Sequence, residues 1–129
     1  MKRAFAFVLL AFSTIALAQV PQIKSGATVY FEPADGFEIF LAGAMIEYKV
    51  PLVVVTDKDK ADYIISSTTH EDQLPSWSTP YTYISATFRV EDKGSSQVVF
   101  AASTSKNYNI KAAAQDCVWQ LAKYMKKHK

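Results

Sequence analysis

Residues 28–55 read Thr-Val-Tyr-Phe-Glu-Pro-Ala-Asp-Gly-Phe-Glu-Ile-Phe-Leu-Ala-Gly-Ala-Met-Ile-Glu-Tyr-Lys-Val-Pro-Leu-Val-Val-Val. A β-prone run, a Pro33-Ala34-Asp35-Gly36 turn, a helical pattern and a second β-branched run follow one another, which is the grammar of a parallel strand–helix–strand unit. Ala27 to Phe31 is the expected first strand, stopped by Pro33. Asp35 is the expected N-cap of the helix. Phe37, Phe40, Leu41, Ala44, Met45 and Tyr48 recur at three- and four-residue spacing and make one apolar face, with Glu38 and Glu47 off it. Gly43 weakens such a helix by roughly 1 kcal/mol relative to alanine, and a close helix–sheet approach is the expected reason for it. Pro51 closes the helix and holds Val50 extended. Leu52 to Val55 then reads as a strand covered on at least one face.

Upstream of this unit lies a leader. Lys2 and Arg3 precede an apolar run from Ala4 to Leu17, and Ala16-Leu17-Ala18 offers small residues where a signal peptidase reads. Cleavage between Ala18 and Gln19 is expected, leaving residues 19–129 as a single domain. The apolar run is shorter than the roughly 20 residues that span a bilayer, so no stable membrane insertion is expected after cleavage. The chain carries 14 Lys plus Arg against 12 Asp plus Glu. Lys2 and Arg3 leave with the leader, so the remaining domain is neutral. That balance gives no electrostatic case for nucleic acid or an anionic membrane. Cys117 is the only cysteine, so no internal disulfide forms and an exported domain must rely on its core. It falls on the apolar stripe of the last helix, where a free thiol acts as a small hydrophobe.

Downstream of Val55, Asp57-Lys58-Asp59-Lys60 is a charged connection with room for one helical turn. Ala61-Asp62-Tyr63-Ile64-Ile65 opens a third strand running to Thr69. His70 to Pro80 has two prolines and no periodicity and reads as a loop. Trp77 in its middle either folds back over a core edge or serves as a contact for a partner. Tyr81 to Glu91 alternates: Thr82, Ile84, Ala86, Phe88 and Val90 make one face, while Tyr81, Tyr83, Ser85, Thr87, Arg89 and Glu91 make the other. Asp92-Lys93-Gly94-Ser95 turns the chain, with Gly94 expected at positive φ, and Gln97 to Ser103 returns. Asn109 is the expected cap of a final helix whose stripe is Ile110, Ala113, Ala114, Cys117, Val118, Leu121 and Met125. Lys123, Lys126, Lys127 and Lys129 complement the end of its dipole.

The expected fold is α/β (α+β): a two-layer sandwich in β-α-β-β-β-β-α order, with a mixed five-stranded sheet and both helices on one face. This order, the Ala61-Asp62-Tyr63-Ile64-Ile65 strand opening and the hairpin from Ala86 to Phe100 (Ala-Thr-Phe-Arg-Val-Glu-Asp-Lys-Gly-Ser-Ser-Gln-Val-Val-Phe) resemble a small periplasmic domain. It is shared by the N-terminal part of TolB, the curli-secretion lipoprotein CsgG and the lipoprotein activators of penicillin-binding proteins. In that group the hairpin carries an x-V-x-D-x-x-T-G-x-V-V-x pattern, and an amphipathic helix closes the domain. The chain departs from the group in two ways: no lipid-attachment cysteine follows Ala18, and no acidic pore or activator segment can be placed. The resemblance implies a non-catalytic envelope interaction domain in the periplasm or outside the cell, with an envelope protein as partner.

No catalytic constellation stands out. His70-Glu71-Asp72 offers three donors, but neighbours on a strand point to opposite sides, and a metal site needs three or four convergent ligands. A Cys117–His70 nucleophile pair requires the fold to bring them together. The glycines of the domain are isolated, so no phosphate loop exists, and no cofactor or metal is expected. Two function classes follow. One is a protein-interaction module docking through Trp77 or through the open sheet face bearing Tyr81, Tyr83, Thr87 and Arg89. The other is a binder of glycan or lipid fragments that stacks them on Trp77, Tyr81 and Tyr83. The oligomeric state is left open.

Overall fold

A computed structural model describes residues 22–74 and 81–128. The elements are β1 (Thr28–Phe31), α1 (Phe37–Glu47), β2 (Val53–Val54), a 3-10 turn (Lys58–Lys60), β3 (Tyr63–Leu74), β4 (Tyr81–Asp92), β5 (Val98–Asn107) and α2 (Ile110–Lys127). The sheet order is β2-β1-β3-β4-β5. β1 runs parallel to both β2 and β3, and the β3–β4 and β4–β5 pairs are antiparallel. This is the mixed five-stranded, two-layer sandwich that the pattern predicts.

Both helices cover one face, pack on each other and reach the sheet through β3, β4 and β5. The inward row follows from the register. Ile65 stands opposite Val90, Val90 opposite Phe100, and Phe88 opposite Ala102. Phe100 stacks between Phe88 at 5.7 Å and Tyr124 of α2 at 4.9 Å. Phe37 and Leu41 from α1 and Cys117 and Leu121 from α2 are fully enclosed against this row. Among the described residues no polar or charged side chain is buried, so apolar burial is the main favourable term. Asn109 caps α2 as predicted, its side chain accepting from Ala112 N–H at 2.7 Å.

Several local expectations need correction. Gly36, not Asp35, is the N-cap of α1; it sits at φ 90° with no side-chain cap bond. Glu38 instead reaches back and accepts from Ala34 N–H at 2.8 Å, and that bond holds its carboxyl below the usual range. In the β4–β5 turn the left-handed residue is Ser96 at φ 58°, not Gly94; the Asp92 carboxylate organises the turn by accepting from Gly94 N–H. β3 does not stop at Thr69 but continues through His70 to Leu74, paired throughout with β4. β2 is two residues long and sits at the sheet edge, with Val53 53% and Val54 42% exposed. Gly43 serves no close helix–sheet approach, because a Cβ there would meet nothing within 4 Å.

Candidate functional site

Two surfaces stand out as candidates for contact, and they lie apart in the fold. The first is the sheet face left bare by the helices. Arg89 stands across from Ser66 on β3 and Ala101 on β5, and Thr87 stands between Thr68 and Ser103. Arg89 Nε donates to Ser66 Oγ at 3.0 Å, and the Thr68 and Thr87 hydroxyls share a 2.7 Å hydrogen bond. These side chains frame a shallow hollow of about 450 Å³. Tyr83 stacks on Tyr108 with ring centroids 5.9 Å apart, which ties the far end of the face to the segment leading into α2. Tyr81 opens β4, two residues from Tyr83 on the same strand. Trp77, expected as a contact beside Tyr81 and Tyr83, lies outside the described residues.

The same register disposes of the histidine chemistry. His70 pairs with Ser85 in the row that contains Thr68 and Thr87, on the bare face. Its Nε2 is 2.9 Å from Asp72 Oδ1, and both side chains are exposed. Glu71, between them, belongs to the opposite row, opposite Ile84. Cys117 is enclosed beneath α2 on the other side of the sheet, so the fold does not bring it to His70. Burial, with the Asp116 charge adding to it, pushes the Cys117 thiol up to about 12. A thiol held that way is neither nucleophile nor metal ligand at neutral pH.

The second surface was not anticipated. On α1 the buried positions are Phe37, Leu41, Ala44 and Met45. The opposite side is apolar too: Ile39 is 70% exposed and Ile46 79%, with Ala42 and Gly43 between them. Phe40, expected in the core, is 40% exposed. A surface helix ordinarily turns charged residues outward. Here the two carboxylates are held aside, Glu38 on the Ala34 amide and Glu47 accepting from Gln115 Nε2 of α2 at 3.2 Å. Next to this face, Tyr30, Ile39, Ala42 and Val54 line a shallow groove between α1 and the β1–β2 edge. Val53 and Val55 donate their amides to Ala27 and Val29, so the Val54 amide faces away from the sheet. The signal was present in the sequence. Ile39 and Ile46 are seven residues apart, on the side of the helix where polar residues were due.

Electrostatics around both surfaces is local. Lys58 pairs with Glu32, which raises the lysine above its usual range. Lys93 donates to the Lys58 and Asp59 carbonyls and so ties the hairpin turn to the 3-10 turn. Among the described residues no group of His, Cys, Asp and Glu converges for a metal, and no helix is long and apolar enough to cross a membrane.

No family model and no curated protein matches the sequence. Solved structures do match the fold. The PelC dodecamer from Paraburkholderia phytofirmans aligns with TM-score 0.54 at 14% identity, over 78% of this chain and 89% of that one. The hypothetical protein CT253 from Chlamydia trachomatis aligns with TM-score 0.57 at 8% identity, over 77% and 97%. Lipoprotein GNA1162 from Neisseria meningitidis aligns with TM-score 0.50 at 13% identity, over 75% and 99%. At these identities the likeness is one of fold. It does not single out the TolB, curli-secretion or synthase-activator branch.

Proposed function

We propose that this chain is a non-catalytic protein-interaction or assembly module of the bacterial cell envelope, and that it docks through the outer face of α1. The observation that carries the reading is a surface helix that is apolar on both sides, with Ile39 and Ile46 among the most exposed large apolar side chains described. Contiguous apolar surface of this kind marks contact sites. The leader pattern of residues 1–18 supports export. Lipoprotein GNA1162, which shares the fold, supports an envelope setting. The resemblance to the TolB, CsgG and activator group points the same way. The separation of His70 from Cys117 supports the absence of nucleophile chemistry.

The bare sheet face favours a second reading, a small-ligand site for a glycan or lipid fragment, because its hollow of about 450 Å³ lies in the size range of ligand clefts. Site-specific photo-crosslinking in the native envelope separates the two. Probes replace Ile46, Arg89 and Trp77 in turn, with Ser95 at the hairpin tip as control. A discrete protein adduct at 46 and none at 95 is expected. Adducts at 89 or 77 alone would move the docking surface off α1. No adduct at any position, with ligand-dependent tryptophan fluorescence, would favour the small-ligand reading.

A further inference from the structure

We infer that the occupant of the α1 face is a second copy of this chain, the two helices crossing antiparallel about a two-fold axis near Gly43; this rests on the interaction-module reading. Ile39, Gly43 and Ile46 follow at i, i+4 and i+7 and so lie on one outward stripe. The glycine makes a notch between two exposed isoleucine ridges. Nothing among the described residues requires that notch, since a Cβ at Gly43 would meet none of their atoms within 4 Å. A two-fold through the notch sets Ile39 of one copy against Ile46 of the other and lets the backbones approach at the two glycines. The surface is thereby complementary to itself, as an isologous contact demands.

The charges agree with this pairing. Glu38 and Glu47 are hydrogen-bonded within their own chain, which holds both carboxylates to the flanks of the stripe, and Lys111 of α2 stands on the Glu47 side of Gly43. The two ends of the stripe carry opposite signs: Asp35 precedes the helix, Lys49 follows it, and both are exposed. An antiparallel two-fold brings Asp35 of each copy to Lys49 of the other, which fixes orientation. The alternative ways for two copies to join are blunted. β2 offers only two residues to a partner strand. β5 is irregular against β4 at both ends, and Gln120 Nε2 of α2 donates to the Ser103 carbonyl in its middle. Short, bulged and covered edges oppose strand-to-strand pairing.

The test is sedimentation of the exported, purified chain across a dilution series, together with oxidation of Gly43→Cys. Wild type is expected to dimerise, and Ile46→Asp to weaken the dimer by roughly thirtyfold. Asp35→Lys and Lys49→Asp each weaken it by about fivefold, and the two together restore it. Gly43→Cys yields a disulfide-linked dimer and Ser95→Cys none; enclosed Cys117 stays out of the reaction. Circular dichroism confirms that each variant is folded. A chain that stays monomeric throughout, with no Gly43→Cys dimer, overturns the proposal, as does a charge swap that fails to restore association. Should self-association fail while a probe at 46 still captures another protein in the envelope, self-pairing falls and the interaction-module reading stands. Should both fail, both fall.

Discussion

Phe37→Ala will destabilise the domain by about 3–5 kcal/mol, the range for emptying an aromatic site in a core that closes only partly around the void. Phe37 is fully enclosed at the first turn of α1. It packs in the same core as Val29, Ile65 and Leu121, where helix and sheet layers meet. Truncation there loses apolar transfer energy and leaves a cavity between two layers. Phe40→Ala, three residues on and 40% exposed, will cost about 1 kcal/mol, because less area is lost and the space opens to water. Urea unfolding of the two variants at low protein concentration checks the difference. Equal costs would mean that α1 is turned differently about its axis from the arrangement described here, and the outward placement of Ile39 and Ile46 would be lost with it.

The second large effect is alkaline. The Cys117 thiol has an ordinary value of 9.0, pushed up to about 12 in the folded chain by burial. Between those values the unfolded chain releases the proton and the folded chain keeps it. The folded state therefore binds more protons, and stability falls as pH rises. The contribution is intact below about pH 9 and is lost at about 1.4 kcal/mol per pH unit above it until the folded thiol itself ionises. The comparison is with Cys117→Ala, which removes only the thiol. Wild type is expected to lose stability more steeply than Cys117→Ala between pH 9 and 11. Parallel slopes would mean that the thiol is solvated, contrary to its enclosed position.

Much of the fold was legible because particular residues punctuate it. Pro33 and Pro51 bracket α1, the Tyr81–Glu91 alternation sets the inward row of β4, and Asn109 marks the start of α2. The largest departure, at the end of β3, falls where the helices do not cover the sheet. From Thr68 through Gln73 the side chains of β3 are exposed. With neither row buried, the sequence shows no alternation and His70-Glu71-Asp72-Gln73 reads as loop. Cross-strand pairing to β4, a non-local partner, makes it a strand. The turn after β4 departs from expectation because the Asp92 side chain fixes it and the left-handed position passes from Gly94 to Ser96.

The candidate surface was the least legible part. The inward stripe of α1 accounts for the core, but the apolar reverse side is what distinguishes this helix. Arg89 and Tyr83 are on the bare sheet face as the alternation implies, but each is already engaged, Arg89 with Ser66 and Tyr83 with Tyr108. Ile39 and Ile46 have no comparable tie to the rest of the fold and carry the larger apolar exposure.

The central claim, that the outer face of α1 is covered in the working protein, is tested most directly by thiol accessibility at position 46. Ile46→Cys in a Cys117→Ala background would be labelled with a hydrophilic maleimide in the intact envelope and again as the purified chain at high dilution, with Ser95→Cys as reference. Labelling at 46 about tenfold slower in the envelope than in dilute solution, with no change at 95, is the result this account predicts. Equal rates at 46 in both settings would show the face bare in the working protein and would contradict it.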